Sequence, residues 1–277
     1  MKVKNMKTMV FEKILITTAV AGALVGTCAA QEKKERDPRE FIYLQLAGGV
    51  ALSSSNSVNV GLGSSVQLPG SASYDRGSLW GVTLGYQFLR EEDEQKRLER
   101  EVKAKAEGKK LEEPQPVRAE LEWWNAAVKR NTVHVAAETV HPNDTVKPRV
   151  LFLNAAMPIA ESDEQYQPED PKRKPEPLWR TWLGVGVGYA NLSYPSASAL
   201  SGCNCLREAS GHGLAYQIKL QAERQIDENT YLFGQIGRVW LPSVSTTQGA
   251  QTTEYGRWGI NNLAIGVRWA FRDLDRK

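Results

Sequence analysis

Residues 116 to 128, PVRAELEWWNAAV, constrain the fold more than any other stretch. Arg118, Glu120 and Glu122 alternate with Val117, Ala119, Leu121 and Trp123. A period of two puts the charges on one face of a strand and the apolar side chains on the other. The chain therefore contains sheet with two unlike faces, and the question is which face meets water.

The same alternation recurs along the chain. In 41–52, Ile42, Leu44, Leu46, Val50 and Leu52 oppose Tyr43, Gln45, Ala47 and Gly49. In 78–90, Trp80, Val82, Leu84, Tyr86 and Phe88 oppose Gly81, Thr83, Gly85 and Gln87. The run 149–159 alternates less cleanly: Leu151, Leu153, Ala155 and Met157 share a face, with Val150 and Phe152 on the side of Asn154. In 178–192, Trp179, Leu183, Val185, Val187 and Tyr189 oppose Arg180, Gly184, Gly186 and Gly188. In 213–225, Leu214, Tyr216, Ile218 and Leu220 oppose Gln217, Lys219, Gln221 and Glu223. The run 230–241 is strand-like without a clear division of faces. In 259–272, Leu263, Ile265, Val267, Trp269 and Phe271 oppose Asn262, Ala264, Gly266 and Arg268. These eight runs are each about ten residues, the length a tilted strand needs to cross a bilayer.

A soluble sandwich or a lipocalin-type barrel also alternates, with its apolar residues inside. A membrane barrel inverts that arrangement. Three features favour inversion. Trp80, Trp123, Trp179, Tyr189, Trp269 and Phe271 cluster near the ends of the apolar face, where amphipathic rings suit a membrane–water boundary. The opposite face carries Arg118, Glu120, Glu122, Asn154, Arg180, Lys219, Glu223 and Arg268, charges of mixed sign beside glycines that leave room for them. An eight-stranded lumen is narrow and is filled by such side chains. A last strand paired with the first leaves no open edge.

The connections alternate in kind. Residues 53–77, 129–148, 193–212 and 242–257 are polar and small, and read as loops at one end. Residues 91–115 form a charge run with helical pairings such as Glu99 with Lys103, and 161–177 is rich in proline and charge. The run 91–115 reads as a solvated insert, with a partner-binding segment as the alternative.

Residues 1–30 read as a cleaved signal peptide. Lys2, Lys4, Lys7 and Lys13 precede the apolar run 14–26, and small residues precede Gln31. A membrane anchor is the alternative, but that run is short for a span. The chain's 35 basic and 32 acidic residues give it a charge of +3. Removing the signal takes four lysines and Glu12 and leaves 31 of each sign, so the basic excess is no evidence for nucleic acid. Lipid acylation at Cys28 is a second reading of the leader. Cys203 and Cys205 are then the only mature cysteines; in an oxidising compartment they could pair, although the ring would be tight. Two thiols with only His212 near make a poor metal set, and neither a metal nor a cofactor is expected. The glycines of GVGVGY lie within a strand and no helix follows, so no nucleotide site is assigned.

Taken in order, PVRAELEWW, VLFLNAAM, WLGVGVGYA, LAYQIKLQAERQIDENTYL and LAIGVRWAF resemble the opacity-protein and small surface-antigen family of outer-membrane β-barrels, the OmpX type. The family's alternating Arg and Glu match Arg118, Glu120 and Glu122, its inward Asn matches Asn154, and its glycine-rich strand matches Gly184, Gly186, Gly188 and Tyr189. The resemblance covers 41–272. It implies an all-β, eight-stranded antiparallel up-and-down transmembrane barrel in the cell outer membrane. Both ends of the chain would be periplasmic, with 31–40 a short leading segment, 273–277 a tail, and the four polar loops extracellular. Two departures stand out. The 91–115 turn is longer than the family's, and RDLDRK runs past Phe271.

The function this implies is that of a non-enzymatic surface protein, with loops on a rigid frame serving adhesion, envelope integrity or recognition. The expected partners are outer-membrane lipid, the barrel assembly machinery and a host or cell-surface ligand. A lipid-modifying membrane enzyme is one alternative; it would have to draw its base from His134, His141 or His212, none of which sits in a patterned triad. A soluble lipocalin-like carrier is the other.

Overall fold

The structure, a computed structural model, describes residues 39–63, 66–89, 115–168, 175–198 and 206–272. The readings on the signal peptide, the 91–115 insert, the Cys203–Cys205 pair and the 273–277 tail fall outside these residues, wholly or nearly so.

Sixteen strands follow in chain order among them. The first eight are β1 (Phe41–Ser53), β2 (Asn56–Leu62), β3 (Val66–Tyr74), β4 (Gly77–Leu89), β5 (Pro116–Val135), β6 (Glu138–Val140), β7 (Asp144–Val146) and β8 (Arg149–Glu161). The rest are β9 (Gln165–Tyr166), β10 (Glu176–Pro177), β11 (Trp179–Tyr194), β12 (Ala209–Gln225), β13 (Thr230–Leu241), β14 (Val244–Gln248), β15 (Gln251–Tyr255) and β16 (Trp258–Phe271).

Eight of them close a barrel. Going round, β1 pairs β4, β4 pairs β5, β5 pairs β8, β8 pairs β11, β11 pairs β12, β12 pairs β13, β13 pairs β16, and β16 returns to β1, every pair antiparallel. The closing seam runs from Ile42 opposite Phe271 to Ser53 opposite Ile260. Closure satisfies each strand's backbone groups on both sides. All eight are the alternating runs of the sequence, including 230–241, whose faces now separate. Tyr231, Phe233 and Gln235 are buried, while Leu232 and Ile236 are exposed.

Three of the polar segments between these strands, 53–77, 129–148 and 242–257, depart from the loop reading. They fold. β5 continues past the barrel to Val135, and β3 pairs its extension from Gly70 opposite Val135 to Tyr74 opposite Arg130. β2, β15 and β14 extend this sheet, while β6 and β7 pair the other side of β5. The cause is alternation hidden in short, polar segments. Val58, Val60, Val133, Val135, Val140 and Val146 all turn inward and are buried. Gly63 and Gly249 supply the positive φ that two of the hairpin turns require.

This cap changes the interior below it. In the half of the barrel nearest the cap the inner wall is an apolar core, with Ala51, Leu79, Trp124, Val150, Phe152, Leu192, Val239 and Ile260 buried together. A lumen polar throughout was expected. The polar part occupies only the other half, because the cap shields the upper wall as a second layer shields a soluble core.

Candidate functional site

The lower interior is a neutralised charge network of three carboxylates and three cations. Each inward side chain follows from strand alternation, with Arg118, Glu120 and Glu122 from β5, Lys219 and Glu223 from β12, and Arg268 from β16. Lys219 Nζ lies 2.6 Å from Glu120 Oε2 and 3.0 Å from Glu122 Oε2. Tyr43 donates its hydroxyl to Glu120 Oε1 at 2.7 Å. Asn154 and Gln217 donate to Glu122 Oε2 at 2.7 and 2.8 Å, and Gln217 also donates to Asn154 Oδ1 at 2.6 Å.

The second half of the network centres on Glu223. Its Oε1 accepts from Arg118 Nη2 at 2.7 Å, Arg268 Nη2 at 2.9 Å and Trp182 Nε1 at 2.8 Å. The Arg118 guanidinium stacks on the Trp182 ring, 3.5 Å from its centroid, and Arg268 lies 3.7 Å from the centroid of Tyr231. Most of the network's hydrogen-bonding capacity is met; Arg268 Nε and Nη1 are buried without an acceptor among the described residues, and cation–π contacts supply attraction there where water is excluded.

Glycine makes the network fit. A Cβ at Gly186 would overlap Asn154 Oδ1 and come within 3.1 Å of Gln217 Cγ. One at Gly85 would run into the Tyr43 ring. The glycines opposite the long side chains are therefore a spatial requirement of the network.

Arg180 is a correction. Alternation along β11 is unbroken and Arg180 shares the face of Trp182 and Gly184, but it stands at the end of the strand, where the facing strand β8 carries an extra residue, Ile159. Arg180 sits at the rim over the Trp182 ring and pairs with Glu161 at 2.7 Å, and Trp182, one step deeper on the same face, is the residue that reaches Glu223. Of the interior residues that were not singled out, Gln87 and Gln221 lay on the polar faces of their runs, while Trp124 continues the Arg118–Glu120–Glu122 parity. That parity was the available signal.

The outer surface is apolar. Leu84, Leu153, Met157, Val185, Leu214, Ile236, Leu263 and Ile265 are among its exposed side chains, and Ile265 is 73% exposed. Trp80, Trp123 and Tyr189 are exposed toward the cap end, and Trp179, Trp269 and Phe271 toward the other. Tyr216 and Trp240 add to the cap-side aromatics. No helix among the described residues is long and apolar enough to cross a membrane; strands are not covered by that criterion.

Both ends of the barrel are closed by buried ion pairs. In the cap, Arg130 is fully buried and bonds Asp144, the Tyr255 hydroxyl at 2.6 Å and the Pro195 carbonyl at 2.8 Å. Tyr194 stacks on Tyr255 at 4.0 Å, and Tyr74 stacks on Trp258 at 4.4 Å. At the opposite end, β9 and β10 form a small hairpin that brings Glu176 to Arg272 at 2.6 Å and to the Tyr231 hydroxyl at 3.1 Å. Burial pushes the Glu176 carboxyl up, but the Arg272 guanidinium, Arg180 and the Tyr231 hydroxyl together hold the group below the usual carboxylate range.

The histidines stand apart. His134 is on β5 and bonds Thr139, His141 lies between β6 and β7, and His212 is on β12 with its ring 5.4 Å from that of Tyr189. Among the described residues no group of three or more His, Cys, Asp or Glu could hold a metal ion.

A closed eight-stranded barrel, apolar outside and charged within, defines the class of structure. No family model matches the sequence, and no curated protein matches it. Among solved structures it is similar to Neisserial surface protein A at 12% identity, covering 83% of this chain and 97% of that one with a TM-score of 0.43. It is also similar to the outer membrane protein OprG from Pseudomonas aeruginosa, at 13% identity, 84% and 97% coverage and a TM-score of 0.42. The attachment invasion locus protein Ail of Yersinia pestis aligns at 10% identity, 82% and 98% coverage and a TM-score of 0.30. The barrel itself rests on the strand register described above.

Proposed function

We propose that the chain is an outer-membrane surface protein, non-enzymatic, whose barrel holds a folded extracellular cap that meets other molecules. One observation carries this reading: the inverted polarity. In water, the exposed leucines and isoleucines on every side of the barrel would form an apolar surface far larger than a soluble monomer tolerates, while six charges lie buried at the centre. In a bilayer both features are favourable. The cap end then faces outward, the Glu176–Arg272 end lies in the periplasm, and the barrel reaches its place through the assembly machinery.

The test has two parts. Unheated protein from the membrane fraction should migrate differently from boiled protein in SDS, because a closed barrel stays folded in cold SDS. Deleting residues 56–74 should then abolish binding to cells or envelope components while the shift persists. Recovery in the soluble fraction without a shift would favour the carrier reading. A change in lipid A structure that is lost on replacing His134, His141 or His212 would favour an enzyme.

A further inference from the structure

One sector of the outer wall is built unlike the rest. A row of outward positions runs through directly paired residues: Trp80 opposite Asn125, Asn125 opposite Arg149, Arg149 opposite Asn191, and Asn191 opposite His212. One step toward the barrel middle a second row runs parallel to it: Trp123 opposite Leu151, Leu151 opposite Tyr189, and Tyr189 opposite Leu214. The first row is basic and amide-rich. The second is wholly apolar and aromatic. Neither contains a carboxylate, and exposed Lys147 stands two residues beyond Arg149 on the cap side.

Asn125 supplies an independent observation. Only 9% exposed, it lies between Trp80 and Arg149, and its Nδ2 has no hydrogen-bond partner among the described residues. A buried amide donor without an acceptor carries a desolvation cost that an arriving oxygen would relieve. Beside it are a guanidinium, suited to bidentate contact with phosphate, and further on a second amide and an imidazole. From Asn125 to His212 the row crosses three inter-strand steps, about 14 Å, a span that a phosphorylated disaccharide bridges.

We propose that this sector, on β5, β8, β11 and β12, docks a phosphorylated glycolipid of the outer leaflet. Asn125, Arg149 and His212 take phosphate and sugar oxygens, and Lys147 adds charge from above. The acyl chains lie along Leu151, Tyr189 and Leu214. Charge complementarity selects the head group, and the apolar row directly beneath selects a lipid over a soluble anion. The proposal rests on the outer-membrane reading, with the cap end outward.

The test uses the full-length protein in phosphatidylcholine vesicles doped with diphosphoryl lipid A or with the same lipid dephosphorylated, and counts lipid copies retained after extraction, by native mass spectrometry. The expected result is about tenfold preferential retention of the phosphorylated lipid. The combined K147Q, R149Q and H212Q variant should lose that preference, and R224Q, at the opposite end of the barrel beside Trp179, should keep it. Equal retention of both lipids by the wild type would overturn the proposal without calling on any variant. So would full preference in the triple variant, provided its heat-dependent gel shift shows a folded barrel. Displacement by millimolar inorganic phosphate would overturn the lipid assignment in favour of a free anion. Absence of insertion and gel shift in the wild type would overturn the outer-membrane reading and this proposal together, an outcome distinct from inserted protein with no preference.

Discussion

Arg118 Nη2 lies 2.7 Å from Glu223 Oε1 with both side chains almost wholly buried, and Arg268 donates to the same oxygen from the other side. One carboxylate on β12 therefore serves as the shared direct counter-ion of cations from β5 and β16. Replacing it by Glu223→Gln keeps the shape and leaves two guanidinium groups without a buried counter-charge. Breaking a buried pair from one side costs about 3–5 kcal/mol. Urea unfolding of the vesicle-inserted barrel, or the temperature of the gel shift, should show a loss of that size.

Gly186 should tolerate no side chain without a shift in its neighbours. Asn154 and Gln217 occupy the space above it, and both are fixed by Glu122. Overpacking of this kind costs about 1–3 kcal/mol. Gly186→Ala should lower the midpoint by that amount, and Gly186→Val should prevent a folded band in cold SDS. An unchanged midpoint for both would mean that the network is looser than its distances.

The outer face gives a prediction of opposite character. Ile265→Arg touches nothing in the interior, and in water it would be close to neutral. In a bilayer, arginine near the midplane of a barrel costs about 2–4 kcal/mol. Unfolding from vesicles should register that cost, and a neutral result would count against lipid around β16.

Glu176 predicts a pH dependence. Its folded pKa is depressed below the ordinary 4.5, so its contribution is complete above that value and is lost as pH falls through the folded one. The protection factors of the Glu176 and Leu178 amides, corrected for the intrinsic exchange rate at each pH, should therefore be high at neutral pH and fall below about 4.5. Glu176→Gln should show low protection of the Leu178 amide at every pH.

Arg130→Met should loosen the cap alone. It removes the donor shared by Asp144, Tyr255 and Pro195 and leaves the lumen intact. A loss of about 1.5–3 kcal/mol is expected for hydrogen bonds to charged groups. Proteases added outside should cleave within 136–143 or 245–254 in the variant and not in the wild type, while both retain the gel shift.

How much of this was legible in the sequence depended on length and continuity of pattern. The barrel strands alternate for ten residues or more, and even 230–241, whose faces could not be separated, was recognisable as a strand. Arg180 misled because a count of two assigns a face and not a depth: it shares the face of Trp182 but lies at the rim, beside Glu161. The cap escaped because its strands are short and rich in Ser, Thr, Asn and Gly, so pairs such as Val58 with Val60 and Val133 with Val135 were lost in a loop-like composition. The apolar upper interior followed from the same omission. Trp124 continues the parity of Glu120 and Glu122, yet only the presence of a cap explains an indole at that level.

The convergence on Arg130 has a consequence for variation. Tyr74, Arg130 with Asp144, Pro195 with Tyr194, and Tyr255 come from four different connections between barrel strands. A surface antigen built from independent loops can alter one and leave the others alone. Here a change in any one of the four disturbs a core that the other three share. Escape from recognition would have to proceed by coordinated replacement, or by substitutions confined to outward positions such as Ser71, Thr247 and Thr252, and an epitope grafted into a single loop would need its three neighbours redesigned with it.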